Sequence, residues 1–362
     1  MEFSGRPTAA WRPENRRYQG RSRPVLHGRS RHRLRARRGI SWQTFTIPEE
    51  SKPAHKNASG TQQYGPSGAA IWSTPTIDEK LGVLYVATGD NYSDPPTETS
   101  DAIVAMDLKT SKLLWSRQLT KSDAFNLGCS PTAPANCPAV AGPDFDFGQP
   151  PILVELRGNR RALVIAQKSG VVHAIDPDRR GRFYGRPALA REARWGAASG
   201  ARRRTRENIY VAISDLGVGG VADPQSAVGF RITIDPRKGG GLHAIDLKTG
   251  TITWIAKSAV CPESQPVCSP AQSAAVTVIP GAVFSGALDG HLREYSTKDG
   301  RVLWDFDTAR EFPTVKGKPA HGRSIDATGA AAVGGMVFVD SGYNQYGGIT
   351  GNVLLAFSVN GK

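Results

Sequence analysis

The sequence of 362 residues lacks several features that would place it in familiar classes of protein. No apolar run approaches the roughly 18 residues that a transmembrane helix needs, so we expect no membrane span. No apolar segment follows the charges at the N-terminus, which predicts that this chain carries no secretory signal. The C-x-x-C-H motif is absent, so we expect no c-type haem to be attached to this chain.

Cysteine is scarce, and the spacing of the four residues is more informative than their number. Cys129 and Cys137 are separated by seven residues in one Pro-containing loop, and Cys261 and Cys268 by six in another. Neither pair is a C-x-x-C motif and no histidine lies close by, so zinc and covalent haem are poor fits. The spacing favours two local disulfides, which indicate an oxidising compartment. We therefore expect a periplasmic or secreted protein, and a missing N-terminal part would explain why this chain has no export signal.

Lysine is missing from two Arg-rich blocks that carry the excess positive charge. Residues 1–40 hold 12 Arg and residues 179–206 hold 10. Three interpretations remain open: a segment that binds nucleic acid through counterion release, a disordered basic segment, or an out-of-frame reading of a GC-rich gene. Few aromatic residues interleave with the Arg, so we do not expect nucleic acid as the partner. We expect residues 1–40 to be disordered or non-native and residues 179–206 to be a disturbed insert.

An internal repeat is the strongest signal in the chain. Residues 105–115 (AMDLKTSKLLW) and 244–254 (AIDLKTGTITW) are nearly identical, and weaker copies begin at Ala174, Glu294 and Ala356. Each of the five copies is preceded by a run of β-branched and aromatic residues. These runs lie at 83–87, 162–166, 208–212, 282–285 and 336–339. A strand, a turn, an A-x-D strand, a T-G turn and a strand ending in Trp predict a four-stranded antiparallel blade. Repetition of that unit predicts an all-β fold, a β-propeller.

The repeat A-x-D-x-x-T-G-x-x-x-W, with strands reading LYVATG and QKSGVVHAID, resembles the propellers of the quinoprotein alcohol dehydrogenases, which depend on pyrroloquinoline quinone (PQQ). Four segments most resemble the polyvinyl-alcohol dehydrogenase branch of that family: 65–78, 89–93, 142–148 and 268–277. The resemblance covers about residues 40–178 and 207–362, and we assign residues 41–362 to the propeller. It implies an eight-bladed ring, of which about five blades are recognisable. We therefore expect this chain to be an N-terminally incomplete version.

The same resemblance implies which residues perform the chemistry. Asp146, in the string Asp144-Phe-Asp146, matches the signature of the catalytic base, and Asp144 would raise the apparent pKa of the pair. Lys168 matches the cation beside the quinone carbonyl, where it would stabilise developing negative charge. Residues 123–126 (DAFN) resemble the acidic signature but have Asn where the catalytic Asp should be, so they rank lower. The alternatives are a turn cap for the two Asp residues and a solvated strand end for Lys168.

Trp72 and the pair Asp90-Asn91 are the candidates for holding a cofactor and a metal. Trp72 lies 18 positions before Asp90, a spacing that resembles that between the Trp under PQQ and an amide metal ligand in the family. An indole face suits a flat quinone, so Trp72, Lys168 and Asn91 are the predicted cofactor contacts. Asp90 and Asn91 both offer hard oxygen, which favours Ca²⁺. The alternative for Trp72 is packing in the core.

The resemblance implies oxidation of an alcohol, either a secondary alcohol or polyvinyl alcohol, by PQQ with an Asp as base. Electrons would pass to cytochrome c, with haem only on that partner. An alternative class is a non-catalytic propeller of the same repeat, acting as a scaffold or an outer-membrane assembly factor. The classes predict different geometry, because only an enzyme needs its functional side chains to converge. Those side chains are Trp72, Asp90, Asp146 and Lys168.

Overall fold

The computed structural model describes most of the chain. The described residues are 9–11, 31–36, 39–57, 60–126, 137–139, 141–156, 158–184, 188–189, 198–199, 201–202, 208–222, 225, 230–262, 268–315, 317–326, 328–342 and 348–359. The protein divides into two compact units: a first unit of residues 18–168 and 173–186, and a second unit of residues 1–17, 169–172 and 187–362. Within the described residues the regular secondary structure consists of β-strands, apart from a 3-10 turn at Pro177–Arg179.

Two antiparallel meanders form most of the first unit. The strands of one are Thr76–Asp78, Val83–Ala87, Ala102–Asp107 and Leu113–Gln118. The strands of the other are Ile152–Glu155, Arg161–Ala166, Val171–Asp176 and Arg182–Phe183. Two-stranded ribbons join Arg31–Ala36 to Gly39–Phe45, Lys52–Lys56 to Gln62–Gly65, and Ser67–Gly68 to Asn91–Ser93. In both meanders the order along the chain is the order in space, as the repeat predicts.

Three sheets are described in the second unit. One contains Ala198–Ser199, Asn208–Ile213, Gly241–Asp246 and Ile252–Ala256. The next contains Val276–Ile279, Ala282–Gly286, His291–Ser296 and Val302–Asp307, with Ala201–Arg202 added in parallel at one edge. The third contains Ala331–Val333, Met336–Ser341, Val353–Ser358 and Ala9–Trp11. Ribbons pair Val218–Ala222 with Phe230–Ile234 and Glu311–Phe312 with Ala320–His321. The predicted all-β architecture of four-stranded antiparallel units is confirmed.

The A-x-D-x-x-T part of the repeat builds a turn through side-chain hydrogen bonds. Asp107 Oδ1 accepts hydrogen bonds from the backbone N–H of Lys109 at 3.1 Å, from that of Thr110 at 2.7 Å, and from the Thr110 hydroxyl at 2.7 Å. Asp246 Oδ1 makes the same three contacts with residues 248 and 249. An Asp that satisfies nearby backbone donors fixes a local turn, which explains why Asp and Thr recur at this spacing.

The T-G-x-x-x-W part of the repeat packs one sheet against the next within a unit. Gly300 has φ +72°, and a Cβ there would lie 2.5 Å from Trp254 Cε3, so only glycine fits against that indole. Gly181 has φ +70° and lies in the same way against Trp115. The two indole rings lie 5.7 and 5.9 Å from a fully buried tyrosine of their own sheet. These repeat tryptophans are therefore packing residues.

The two Arg-rich blocks lie largely outside the described residues, so what we expect of residues 1–40 and 179–206 stays a prediction. The described parts include short paired strands. Residues 31–36 pair with 39–45, and residues 182–183 and 188–189 pair with the strand Val171–Asp176. In the part of the chain that the structure describes, no helix has the length and apolar character to cross a bilayer.

Candidate functional site

A loop of the first unit brings Asp144 and Asp146 to the amino group of Lys168. Lys168 Nζ donates a hydrogen bond to Asp144 Oδ1 at 2.6 Å and lies 3.3 Å from Asp146 Oδ2. The backbone N–H of Lys168 donates to the carbonyl of Asp146 at 3.0 Å. The end of the strand Arg161–Ala166 is thereby fixed to the acidic loop, and three residues predicted from the sequence to be catalytic lie together.

Asp123 holds the loop that carries Asp144 and Asp146 through hydrogen bonds to its backbone. Its fully buried carboxylate accepts hydrogen bonds from the backbone N–H of Asp144 at 3.0 Å and from that of Phe145 at 2.8 Å. Asp144 has φ +63°, a left-handed conformation that Asp adopts more readily than most residues. The two bonds hold the loop in this conformation. Residues 123–126, ranked second as a catalytic segment from the sequence, therefore support the first-ranked segment.

Asp90 completes a cluster of three carboxylates. Its backbone N–H donates to Asp146 Oδ1 at 2.8 Å, and Asp90, Asp144 and Asp146 each bring an oxygen to within 4.8 Å of the others. Asp90 Oδ2 is buried without a hydrogen-bond partner among the described residues, although buried polar atoms normally have one. A hard cation bound by oxygen ligands would supply that partner and offset the like charges, so the donor set fits Ca²⁺.

Burial and mutual repulsion shape the ionisation of this cluster. Burial, followed by the charge of Asp146, raises the pKa of Asp90. Burial also raises the pKa of Asp144, with Lys168 opposing the shift and Asp146 adding to it. Burial alone would lower the pKa of Lys168, but the charges of Asp146 and Asp144 raise it above its ordinary value. Lys168 therefore stays protonated at neutral pH and supplies a fixed positive charge.

Trp72 lies at the edge of the carboxylate cluster with half of its side chain exposed. A Cβ on Gly148 would lie 2.7 Å from Trp72 Cη2, so the backbone at Gly148 runs directly against the indole. A Cβ on Gly89 would collide with Asp146 Oδ1 and lie 3.4 Å from Trp72 Nε1. Trp72 is 51% exposed, which contradicts the alternative of core packing and leaves an indole surface open beside the acids. Such a surface fits a flat aromatic cofactor.

The side chain of Asn91 is held within its own loop. Its Oδ1 accepts a hydrogen bond from the backbone N–H of Thr97 at 2.8 Å, and its Nδ2 donates to the carbonyl of Ser67 at 3.1 Å. Asn91 is fully buried, and its backbone pairs with residues 123 and 125. The predicted metal and cofactor roles of Asn91 stay predictions. The carboxylates that lie beside Asp90 are those of Asp144 and Asp146.

A buried polar network begins at Gln167, the residue before Lys168. Gln167 donates through Nε2 to the Thr120 hydroxyl at 2.6 Å, and its Oε1 lies 3.3 Å from His173 Nε2. The His173 ring packs edge-on against Phe147, with 5.9 Å between centroids. Burial lowers the pKa of His173 to about 4, so the ring is neutral at physiological pH. This network fixes Gln167, which precedes Lys168, and Phe147, which follows Asp146.

Sequence reasoning missed Asp101. Its carboxyl is fully buried, and neither oxygen has a hydrogen-bond partner among the described residues. Its backbone N–H donates to the Gly89 carbonyl at 2.9 Å, which ties it to the loop that carries Asp90. Burial, followed by the charge of Asp123, raises the pKa of Asp101 to about 9. The sequence offers only a weak signal, an acid immediately before a strand of apolar residues.

One of the two predicted disulfides is described. Cys261 and Cys268 are bonded, with their Cα atoms 5.9 Å apart, which confirms the prediction for this pair. Cys137 is disulfide-bonded as well. Its predicted partner, Cys129, lies outside the described residues, so that pairing stays a prediction.

The described sheets are four-stranded antiparallel units, and the first unit carries a carboxylate cluster beside an exposed indole. Two family models match the chain: "Glucose/ethanol/alcohol dehydrogenase, beta-propeller domain" over residues 36–136 and "Outer membrane protein assembly factor BamB" over residues 168–358. A solved quinohemoprotein alcohol dehydrogenase from Comamonas testosteroni covers 90% of this chain and 55% of its own, with a TM-score of 0.53 and 17% identity. The predicted propeller fold is confirmed.

Two curated relatives are more similar in sequence. A polyvinylalcohol dehydrogenase from Pseudomonas sp. is 42% identical over 89% of this chain, and one from Sphingopyxis sp. is 35% identical over the same share. The chain spans about half the length of these relatives, 50% in each case. This chain belongs to the PQQ-dependent alcohol dehydrogenase family.

Proposed function

We propose that the chain carries the active-site residues of a PQQ-dependent dehydrogenase that oxidises secondary alcohols, with polyvinyl alcohol as its polymeric substrate. The observation that carries the proposal is convergence: Asp90, Asp144 and Asp146 meet Lys168 in the first unit, beside the half-exposed Trp72. A structural loop does not need three carboxylates and a lysine in one place. The names of the two curated relatives support the choice of substrate.

The residues of the site divide into three roles. Asp146 takes the proton from the substrate hydroxyl, as a general base held in place by the Asp90 N–H. Lys168 supplies a fixed positive charge where negative charge develops. Trp72 offers its exposed face to the cofactor and excludes water from that side. PQQ held against Trp72 and Lys168 would supply the oxidant for the alcohol, a hydride acceptor.

Asp90 and Asp144 would hold Ca²⁺ beside the cofactor, because their oxygens lie close together and the buried Asp90 Oδ2 needs a partner. The cation would polarise the quinone. We propose cytochrome c as the electron acceptor, with the haem on that partner; residues 1–362 contain no C-x-x-C-H motif. The Cys261–Cys268 disulfide supports a periplasmic or secreted location.

A second candidate function rests on the match of residues 168–358 to the outer-membrane assembly model. In that case the propeller is a scaffold, and the carboxylate cluster has no chemical role. We favour the enzyme because a scaffold gives no reason for a buried, unpartnered carboxylate oxygen next to an exposed indole.

The test is reconstitution of the full chain with PQQ and Ca²⁺, followed by assay of isopropanol and polyvinyl alcohol with an artificial electron acceptor. We expect turnover that requires PQQ, and reduction of added cytochrome c in place of the artificial acceptor. A folded chain that binds PQQ, shown by absorbance of the bound quinone, but oxidises neither substrate would contradict the enzyme proposal and favour the scaffold.

A further inference from the structure

A single buried residue, Asp123, bonds to both of the loops that supply the carboxylate cluster. Asp90 lies in the loop that follows the strand Val83–Ala87, and Asp144 and Asp146 lie in a separate loop later in the chain. Carboxylates from separate loops stay close together only if the loops are fixed to each other. Asp123 is fully buried and fixes one loop through its main chain and the other through its side chain.

The main chain of Asp123 fixes the loop of Asp90. The backbone N–H of Asn91 donates to the carbonyl of Asp123 at 3.2 Å, and the backbone N–H of Phe125 donates to the carbonyl of Asn91 at 2.8 Å. These two bonds form a short parallel bridge between Asn91 and Ala124. Because Asn91 directly follows Asp90, the bridge sets the position of the first carboxylate.

The side chain of Asp123 fixes the loop of Asp144. Its Oδ1 accepts a hydrogen bond from the backbone N–H of Asp144, and its Oδ2 accepts one from that of Phe145. Asp144 has a left-handed φ of +63°, a conformation that a residue other than glycine keeps only where its surroundings enforce it. Both oxygens of Asp123 are therefore bound to this turn, and the position of the second carboxylate depends on them.

Gly142 allows the later loop to pack directly against Asp123. Its backbone N–H donates to the carbonyl of Ala124 at 3.0 Å. A Cβ on Gly142 would lie 2.3 Å from Asp123 Oδ1 and 2.5 Å from Asp123 Cα, closer than Cβ atoms approach other heavy atoms in proteins. Only glycine permits this approach of the two segments. The contact between Gly142 and Asp123 can therefore be disturbed from either side.

We propose that Asp123 is a positioning residue for the Ca²⁺ site, and that it sets the affinity for the cation by holding the loops of Asp90 and Asp144 at binding distance. The inference rests on the assignment of these two acids to Ca²⁺ in the proposed function. Asp90 and Asp144 repel each other when both are ionised, so loops that were not fixed would move apart. A carboxylate suits the role because both of its oxygens accept hydrogen bonds.

The test is calorimetric titration of the full chain with Ca²⁺, without PQQ. Asp123→Asn keeps the size of the side chain, but its amide has one acceptor oxygen, so one backbone N–H would face an NH₂ donor. Gly142→Ala places a methyl group against Asp123 from the other loop. We expect each variant to bind Ca²⁺ about 10- to 100-fold more weakly than the wild type, the usual loss when a group that orients a metal ligand is removed.

Gly82→Ala is the matched control. Gly82 has φ +64°, and nothing lies within 4 Å of a Cβ there, so alanine disturbs the backbone of the first unit without a new contact. Its affinity for Ca²⁺ should equal that of the wild type. Far-UV circular dichroism shows which variants are folded, and Gly142→Ala still tests the proposal if Asp123→Asn does not fold.

Turnover distinguishes positioning of the cation site from a general structural role. In the chain reconstituted with PQQ, oxidation of isopropanol by Asp123→Asn should be slow at limiting Ca²⁺. At saturating Ca²⁺ it should recover to within about threefold of the wild type, because mass action refills an intact set of ligands. A loss of turnover that excess Ca²⁺ does not restore would overturn the inference.

The binding experiment also separates this inference from the proposed function. If both variants lose affinity for Ca²⁺ while neither they nor the wild type oxidise an alcohol, the inference stands and the enzyme proposal fails. If the wild type oxidises alcohols and the folded variants match it in affinity for Ca²⁺, the inference is overturned and the proposed function stands. A wild type that binds no Ca²⁺ overturns the inference as well, since there is then no cation site to position.

Discussion

Lys168 Nζ is closer to Asp144, at 2.6 Å, than to Asp146, at 3.3 Å. The carboxylate that neutralises the lysine is therefore the one beside the proposed base. Asp146 accepts the longer hydrogen bond from Lys168 through Oδ2 and the backbone N–H of Asp90 through Oδ1, and these two contacts orient its carboxylate. Asp144 is therefore the closer partner of the Lys168 ammonium, and Asp146 is the neighbouring acid that we propose as the base.

Asp146→Asn should remove the base while keeping the shape of the site. We expect turnover of isopropanol by the reconstituted chain to fall about 10²- to 10⁴-fold, the usual contribution of a general base. PQQ binding, followed by its absorbance, should persist. Asp107→Asn, in an exposed turn of the same unit, is the control and should keep its activity. Retained turnover in Asp146→Asn would exclude Asp146 as the base.

Lys168→Met should lower turnover by about 10²- to 10³-fold, because a fixed charge that stabilises developing negative charge is lost. It also leaves Asp144 without its counter-charge, which raises the pKa of that carboxyl further and should shift the pH profile of kcat upward. Lys168→Arg keeps the charge and should recover part of the rate. Equal loss in both variants, with no movement of the pH profile, would point to a packing role instead.

Binding of Ca²⁺ should release protons. Burial and like charges raise the pKa values of Asp90 and Asp144, and a cation must displace any proton that those carboxyls hold. Affinity should therefore increase as pH rises from 6 to 8, measured by calorimetry in buffers of different ionisation enthalpy. Asp90→Asn should bind more weakly and release fewer protons. A pH-independent affinity would contradict the assignment of these ligands.

Asp101→Asn should stabilise the unloaded protein, and more so at high pH. The carboxyl has a pKa of about 9 in the folded state and about 4 when unfolded. Between these values the folded state binds a proton that the unfolded state has released, so wild-type stability falls as pH rises through this window. Asparagine tolerates the φ of +46° at this position. Unfolding by urea at pH 5, 7 and 9 checks this prediction. If the difference in the free energy of unfolding between variant and wild type does not widen with pH, the prediction is wrong.

Gly300→Ala should destabilise the protein more than Gly281→Ala does. Both glycines have positive φ, +72° and +90°, so both substitutions carry a backbone penalty of about 1 kcal/mol. Only at Gly300 would the new Cβ collide with Trp254, whereas nothing lies within 4 Å of a Cβ at Gly281. Overpacking adds about 1 to 3 kcal/mol. Chemical unfolding gives the free energy of unfolding that each variant loses, and the difference between the two losses is the packing contribution. Equal losses would show that the contact with Trp254 contributes nothing measurable to stability.

The strands and turns follow from local spacing, so they could be predicted from the sequence. An Asp that caps a turn, a Thr three residues later and a glycine with positive φ act within a few residues of one another. The runs at 83–87 and 208–212 are strands because β-branched and aromatic side chains fit a buried pleated surface. Asp146, Lys168, Asp90 and Trp72 are predicted because the strings around them resemble the quinoprotein family, and the structure brings them together in the first unit.

The repeat can be read from the sequence because it depends on short-range order, and the candidate acidic and basic residues follow from the resemblance of short strings to the family. Which oxygens meet depends on how distant segments fold together. Successive residues of an extended loop point to opposite sides, so Asp90 faces the acids while Asn91 turns back to Thr97. The left-handed conformation of Asp144, held by Asp123 from another segment of the chain, sets the third carboxylate. Likewise, Asp101 is buried because of the sheet packed around it, which no local pattern in the sequence encodes.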